Sequence, residues 1–157
     1  MRIEAKDMKA GESQKVDVRE IAAPELEKLA FLELSNQELK ARIDNLSVSA
    51  DVKALLFKMA KGVLRVGSTV IKIGQKIIES IFQVLKRFPN ASFGLVFGAI
   101  AGSLVTSVPI IGFILGPVVT PLFAAFGLVF GANADFADQA VERRVKEALA
   151  TFEPLRA

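Results

Sequence analysis

Between Arg87 and Asp135 the chain runs through residues 88–134 without a charged side chain. Few features limit a fold more. A helix crossing a hydrocarbon core needs roughly 20 apolar residues, so this run is too long for one crossing and long enough for two. A buried core helix of a soluble domain explains it poorly, because soluble helices alternate an apolar stripe with a charged face. The run is also not a signal peptide. The chain begins MRIEAKDMKAGESQK, which is polar and has no apolar central stretch.

Punctuation inside the run predicts a helical hairpin. The heptapeptide FGLVFGA stands at Phe93–Ala99 and again at Phe126–Ala132. Its two copies are centred between Gly112 and Phe113, among Pro109, Gly112, Gly116 and Pro117. Proline and glycine mark helix breaks and turns, so these four residues are the expected turn, with arms near 93–108 and 118–132. The repeat would then place one packing surface on both arms at one depth. On the first arm that surface is Gly94, Gly98 and Gly102; on the second it is Gly127 and Gly131. Four-residue spacing stacks small residues on one helix face, where another backbone can approach closely. The partner is either the other arm or a second copy of the chain. Ser103, Thr106, Ser107 and Thr120 either line a polar path or bond carbonyls of their own helices; the second is expected. The tip, IIGFILG, has no polar side chain, so the hairpin either spans the bilayer or re-enters it.

Charge divides the rest of the chain. Residues 1–50 carry a net charge of −2, residues 51–90 a net of +6, residues 91–134 none, and residues 135–157 a net of −1. The cationic segment has polar positions every seven residues, at Lys58, Arg65, Lys72, Glu79 and Lys86, among Ile, Leu and Val. This pattern predicts a long amphipathic helix from an Asp51 cap to Arg87, with Gly62, Gly67 and Gly74 as bends. A basic amphipathic helix suits a membrane interface. Lys58, Lys61, Arg65, Lys72, Lys76, Lys86 and Arg87 are the expected contacts to anionic lipid, each contributing ~1 kcal/mol near a charged leaflet. Cations precede the hairpin at Lys72, Lys76, Lys86 and Arg87 and follow it at Arg143, Arg144 and Lys146. Positive charge at both roots places both termini on the cytoplasmic side.

The ends of the chain read as short helices. Pro24 fits the first turn of one, and Ser35 with Glu38 forms a capping box for the next. Asp135–Leu149 is an amphipathic helix with Phe136, Ala140, Val141, Val145, Ala148 and Leu149 on its apolar side. Residues 1–19 read as a flexible arm, and no segment alternates enough to predict a sheet. The expected fold is all-α: short N-terminal helices, a basic interfacial helix, a glycine-rich hairpin and a C-terminal amphipathic helix.

Enzyme chemistry finds little footing. The chain has no Cys and no His, which removes thiolate sites and the commonest general base and zinc ligand. No phosphate loop, dinucleotide fingerprint or nucleophile elbow is present. Glu25, Glu27 and Glu33 read as a solvated face rather than a metal site, and no cofactor is expected. Nucleic acid is disfavoured, since the basic residues share their helix with a broad Ile/Val face and there is no Tyr or Trp to stack on bases. The segment SVPIIGFILGPVVTPLFAAFGLVFGA resembles the buried hydrophobic hairpin of pore-forming colicins and, more loosely, glycine-zipper membrane proteins. The resemblance is one of composition and transfers no functional residue. The expected function is a non-enzymatic homo-oligomer in an anionic bilayer, pore-forming or membrane-shaping. The alternative is a membrane-anchored scaffold whose residues 1–50 recruit a protein partner.

Overall fold

A first-turn proline and two serine caps start the early helices. The computed structural model describes residues 2–6, 13–17, 21–127 and 139–156, and it is mostly helical with one small antiparallel sheet. Helix α1 (Ala23–Ala30) has Pro24 in its first turn, where the missing N–H costs nothing. At α2 (Asn36–Asp44) the Ser35 hydroxyl accepts the Glu38 N–H at 3.1 Å, as the capping box requires. Helix α3 (Ala50–Ala60) is capped by Ser49, whose hydroxyl accepts the Val52 N–H at 3.2 Å. The cap is therefore Ser49 rather than Asp51, whose carboxylate sits in the first turn at the positive end of the helix dipole.

The segment 51–87 is not one helix. After α3 the chain forms strands β3 (Leu64–Val66) and β4 (Thr69–Ile71) before α4 (Ile73–Arg87) begins. Gly67 and Ser68 make the two-residue turn, with Gly67 at φ +60° and Val66 paired with Thr69. Glycine at the first central position, followed by a residue of negative φ, matches a type II′ hairpin turn. The N-terminal segment completes the sheet. Strand β1 (Arg2–Lys6) pairs with both β2 (Ser13–Asp17) and β3, in the order β2-β1-β3-β4. A sheet thus replaces the expected flexible arm over these residues. Leu64, Val66 and Ile71 are buried on its inner face, where α7 and α1 pack, while Arg65 and Val70 stand opposite each other on the outer face.

Helix α4 is the core helix. Every residue from Ile73 to Phe82 is buried. Gly74 does not bend it; the Gly74 N–H donates to Gly62 at 3.1 Å, and a Cβ there would collide with the Met59 carbonyl. The end of α3 therefore lies directly on the start of α4.

The hairpin forms, with a different apex. Its first arm is α5 (Phe93–Phe97), a π-helical turn (Gly98–Gly102) and α6 (Ser103–Ser107). Val108 is extended, and α7 (Pro109–Phe126) runs back with Pro109 in its first turn. Pro109 thus belongs to the turn as expected, whereas Gly112, Gly116 and Pro117 lie inside α7. Pro117 and Pro121 withdraw the helix donors of the Phe113 and Pro117 carbonyls without ending the helix. What ends α7 is Gly127, left-handed at φ +70°, whose N–H donates to Ala124 at 3.1 Å. Helix α8 (Gln139–Ala150) buries Val141, Val145 and Ala148, the apolar side read from its spacing.

These packings give the bundle two distinct ends. Phe82 meets Phe93 at 5.9 Å, so the C-terminal half of α4 lies beside the start of the first arm. A single groove is lined by Leu46 and Val48 before α3, by Phe93, and by Phe126 at the end of α7. The start of α7 lies about 27 Å away along its 18 residues, and since α3 and β1 both pack on α7 while the residues before α3 meet Phe126, the close of α3 and the sheet lie toward that start. The hairpin apex and the sheet share one end; the hairpin roots and the C-terminus of α4 share the other.

Candidate functional site

The glycines of the hairpin are placed by what they touch. A Cβ on Gly102 would lie 2.5 Å from the Phe123 ring, and one on Gly94 3.3 Å from the Phe126 ring. Gly112 meets the Val105 carbonyl in the same way, at 2.5 Å. These three positions let the two arms approach within one chain. Around them Phe93, Phe97, Phe123 and Phe126 form a cluster with centroid spacings of 5.5–6.2 Å, within the favourable range for aromatic pairs. Gly98 is half-buried in the π-helical turn. Gly127 is exposed and, among the described residues, none comes within 4 Å of its Cβ position beyond its own helix and chain neighbours, so there it caps a helix and forms no packing face. Gly131 lies outside the described residues.

The repeat consequently does two different jobs. Its first copy sits within the first arm and turns Gly94 toward α7. Its second copy begins on the last residue of α7 and spends its glycine on ending that helix. The apex at Val108–Pro109, rather than at Gly112–Phe113, produces this offset.

Helix α7 is the one helix among the described residues long and apolar enough to cross a membrane, with mean hydropathy 2.0 and 44% of it buried. Its outward positions include Pro109, Phe113, Pro117, Thr120 and Ala124, none of them charged. Thr120 turns its hydroxyl back to the Gly116 carbonyl at 2.8 Å. On the first arm Thr106 donates to Gly102 at 2.9 Å and Ser107 to Ser103 at 2.5 Å. Thr106, Ser107 and Thr120 bond their own helices, as expected, and Ser107 also accepts the Arg156 guanidinium at 3.3 Å, a charged contact beside the apex.

The cations are not gathered on one face. Lys58, Lys61, Arg65 and Lys72 are exposed at the sheet end, and Lys86 and Arg87 are exposed at the far end of α4. Fifteen residues of α4 hold the two groups about 22 Å apart. Lys76 belongs to neither. It is only 9% exposed, and its ammonium donates to the Phe31 carbonyl at 2.8 Å, 5.9 Å from the Phe31 ring.

Lys76 is part of a cluster that the helical periodicity does not reveal. Glu79, 1% exposed, accepts the Glu33 and Leu34 N–H groups at 3.0 and 3.2 Å, and the Gln75 amide donates to the Leu34 carbonyl at 3.4 Å. Residues 31–34 connect α1 to α2, and beyond the Phe31 N–H that closes α1 on Glu27, α4 side chains meet their backbone groups. The signal in the sequence is Glu79 itself, a lone carboxylate within IIESIF. Glu25, Glu27 and Glu33 are exposed, and among the described residues no three His, Cys, Asp or Glu side chains cluster as metal ligands.

Comparison of the chain with protein-family models, with curated proteins and with solved structures finds no match.

Proposed function

We propose that this chain is a non-enzymatic membrane protein whose apolar hairpin enters an anionic bilayer and associates with further copies, lining or shaping an oligomeric assembly. The uncharged outer face of α7 carries this reading. A helix on the surface of a water-exposed bundle ordinarily turns charged residues outward; α7 turns out Pro109, Phe113, Pro117 and Ala124, with its one outward hydroxyl bonded internally. At about 27 Å it approaches the ~30 Å of a hydrocarbon core. In the inserted form both termini remain on the cytoplasmic side.

Gly94 and Gly102 serve contact between the arms, which leaves Gly98 and the outer face of α7 for contact between copies. Gly116, with no atom within 4 Å of its Cβ position, lies on that helix. The scaffold alternative has less support, because β1 pairs with β3 and residues 31–34 are bonded to α4. The described residues of the N-terminal 50 are built into the bundle.

Alkaline carbonate extraction tests insertion. Retention in the membrane fraction is expected, and release into the soluble fraction would remove the reading. Particle size in mild detergent tests association. Gly98→Leu or Gly116→Leu is expected to leave insertion intact and reduce oligomer size, and an unchanged size in both would discard these glycines as subunit contacts.

A further inference from the structure

We infer that the sheet end of the bundle is the surface that first docks on an anionic bilayer, so that the hairpin enters apex first. This rests on the membrane reading and adds its direction. Sequence spacing alone spread the seven cations along one helix. Folding instead collects Lys58, Lys61, Arg65 and Lys72 at the end that also holds the Val108–Pro109 apex.

Two observations converge there. No acidic residue occurs between Asp51 and Glu79, so the end of α3, the β3–β4 hairpin and the start of α4 contribute positive charge alone. Val70 is 45% exposed, one of two large apolar side chains strongly exposed among the described residues, and its cross-strand neighbour is the exposed Arg65. An apolar side chain beside cations matches the boundary between lipid phosphates and acyl chains. The opposite end offers Lys86 and Arg87 but no apex. Docking by the sheet end brings the Val108–Pro109 apex to the headgroups together with Arg156, whose guanidinium donates to the Ser107 hydroxyl beside it at 3.3 Å.

The full chain contains no Cys, so Ser68→Cys at the β3–β4 turn takes a single environment-sensitive dye. The probe is a vesicle of phosphatidylcholine with 30% phosphatidylserine (about that fraction suffices), against phosphatidylcholine alone. A blue shift on the anionic vesicles is expected. The variant Arg65→Glu/Lys72→Glu is compared with Lys86→Glu/Arg87→Glu, which changes net charge by the same amount at the other end. The first pair is expected to weaken vesicle binding by about 30-fold or more and the second by less than about threefold. All four positions are exposed, and circular dichroism confirms that each variant is folded. Equal losses from both pairs, or a larger loss from Lys86 and Arg87, would overturn the orientation while leaving membrane binding in place. Absence of vesicle binding by the unmodified chain would remove the membrane reading and the orientation with it.

Discussion

Glu79 holds Glu33 by its backbone: the buried carboxylate accepts the Glu33 N–H at 3.0 Å, across 46 residues of chain, and the Leu34 N–H at 3.2 Å through its second oxygen. With Lys76 on the Phe31 carbonyl and Gln75 on the Leu34 carbonyl, one face of the core helix supplies the polar partners of a linker that has no secondary structure of its own. Replacing Glu79 by Leu leaves two amides without their acceptors. A loss of about 3 kcal/mol is expected, and about 1–2 kcal/mol for Glu79→Gln, which keeps one acceptor oxygen. Urea unfolding followed by circular dichroism measures both. A Leu variant as stable as the parent would mean that water replaces the carboxylate.

Two glycine substitutions should have opposite effects. At Gly74 a methyl group meets the Met59 carbonyl, a backbone atom that cannot step aside, and Gly74→Ala is expected to cost about 3 kcal/mol or prevent folding. At Gly116 the space is open and the backbone is helical, so Gly116→Ala is expected to add about 0.5–1 kcal/mol. Thermal unfolding midpoints that move in the same direction would contradict the packing described.

Within the hairpin, Gly102→Leu drives a side chain into the Phe123 ring, 2.5 Å from the Cβ position. Its expected effect is loss of stability in the single chain, about 1–3 kcal/mol, before any change in association. A variant with parental stability but a smaller particle would move Gly102 to the interface between copies.

The hydroxyls offer a test of a polar path. Thr106→Val and Thr120→Val remove groups that bond the Gly102 and Gly116 carbonyls of their own helices. Vesicle partitioning is expected to hold or rise, and dye release to stay within about twofold, because neither hydroxyl is offered to a pore. A fall in dye release beyond tenfold would assign them a conducting role.

Much of the local structure was legible in the residues themselves. Ser35 and Glu38 marked the start of α2, Pro24 marked α1, and the apolar spacing of Val141, Val145 and Ala148 gave α8 its buried side. The uncharged run gave a helical hairpin because backbone and side chains there have no charge to solvate. Each of these signals depends on neighbours within one or two turns, so sequence alone determined it.

Tertiary contacts decided the rest. Leu64–Ile71 fits a helix by its seven-residue spacing, yet it is a hairpin because β1 arrives from 60 residues away to pair with β3. The turn pair Gly67-Ser68 between β-branched residues was the available signal, and it competed with a strong helical period. The hairpin apex moved from Gly112 to Val108–Pro109 because a proline is accommodated freely in a first turn, and Gly112 was needed where the arms meet at Val105. The same heptapeptide packs in α5 and begins at the end of α7 because that shift displaced its second copy. Lys76 and Glu79 turned inward because the linker at 31–34 presents backbone groups that α4 lies near enough to meet. Periodicity specifies which faces a helix has; what approaches each face is a property of the whole chain.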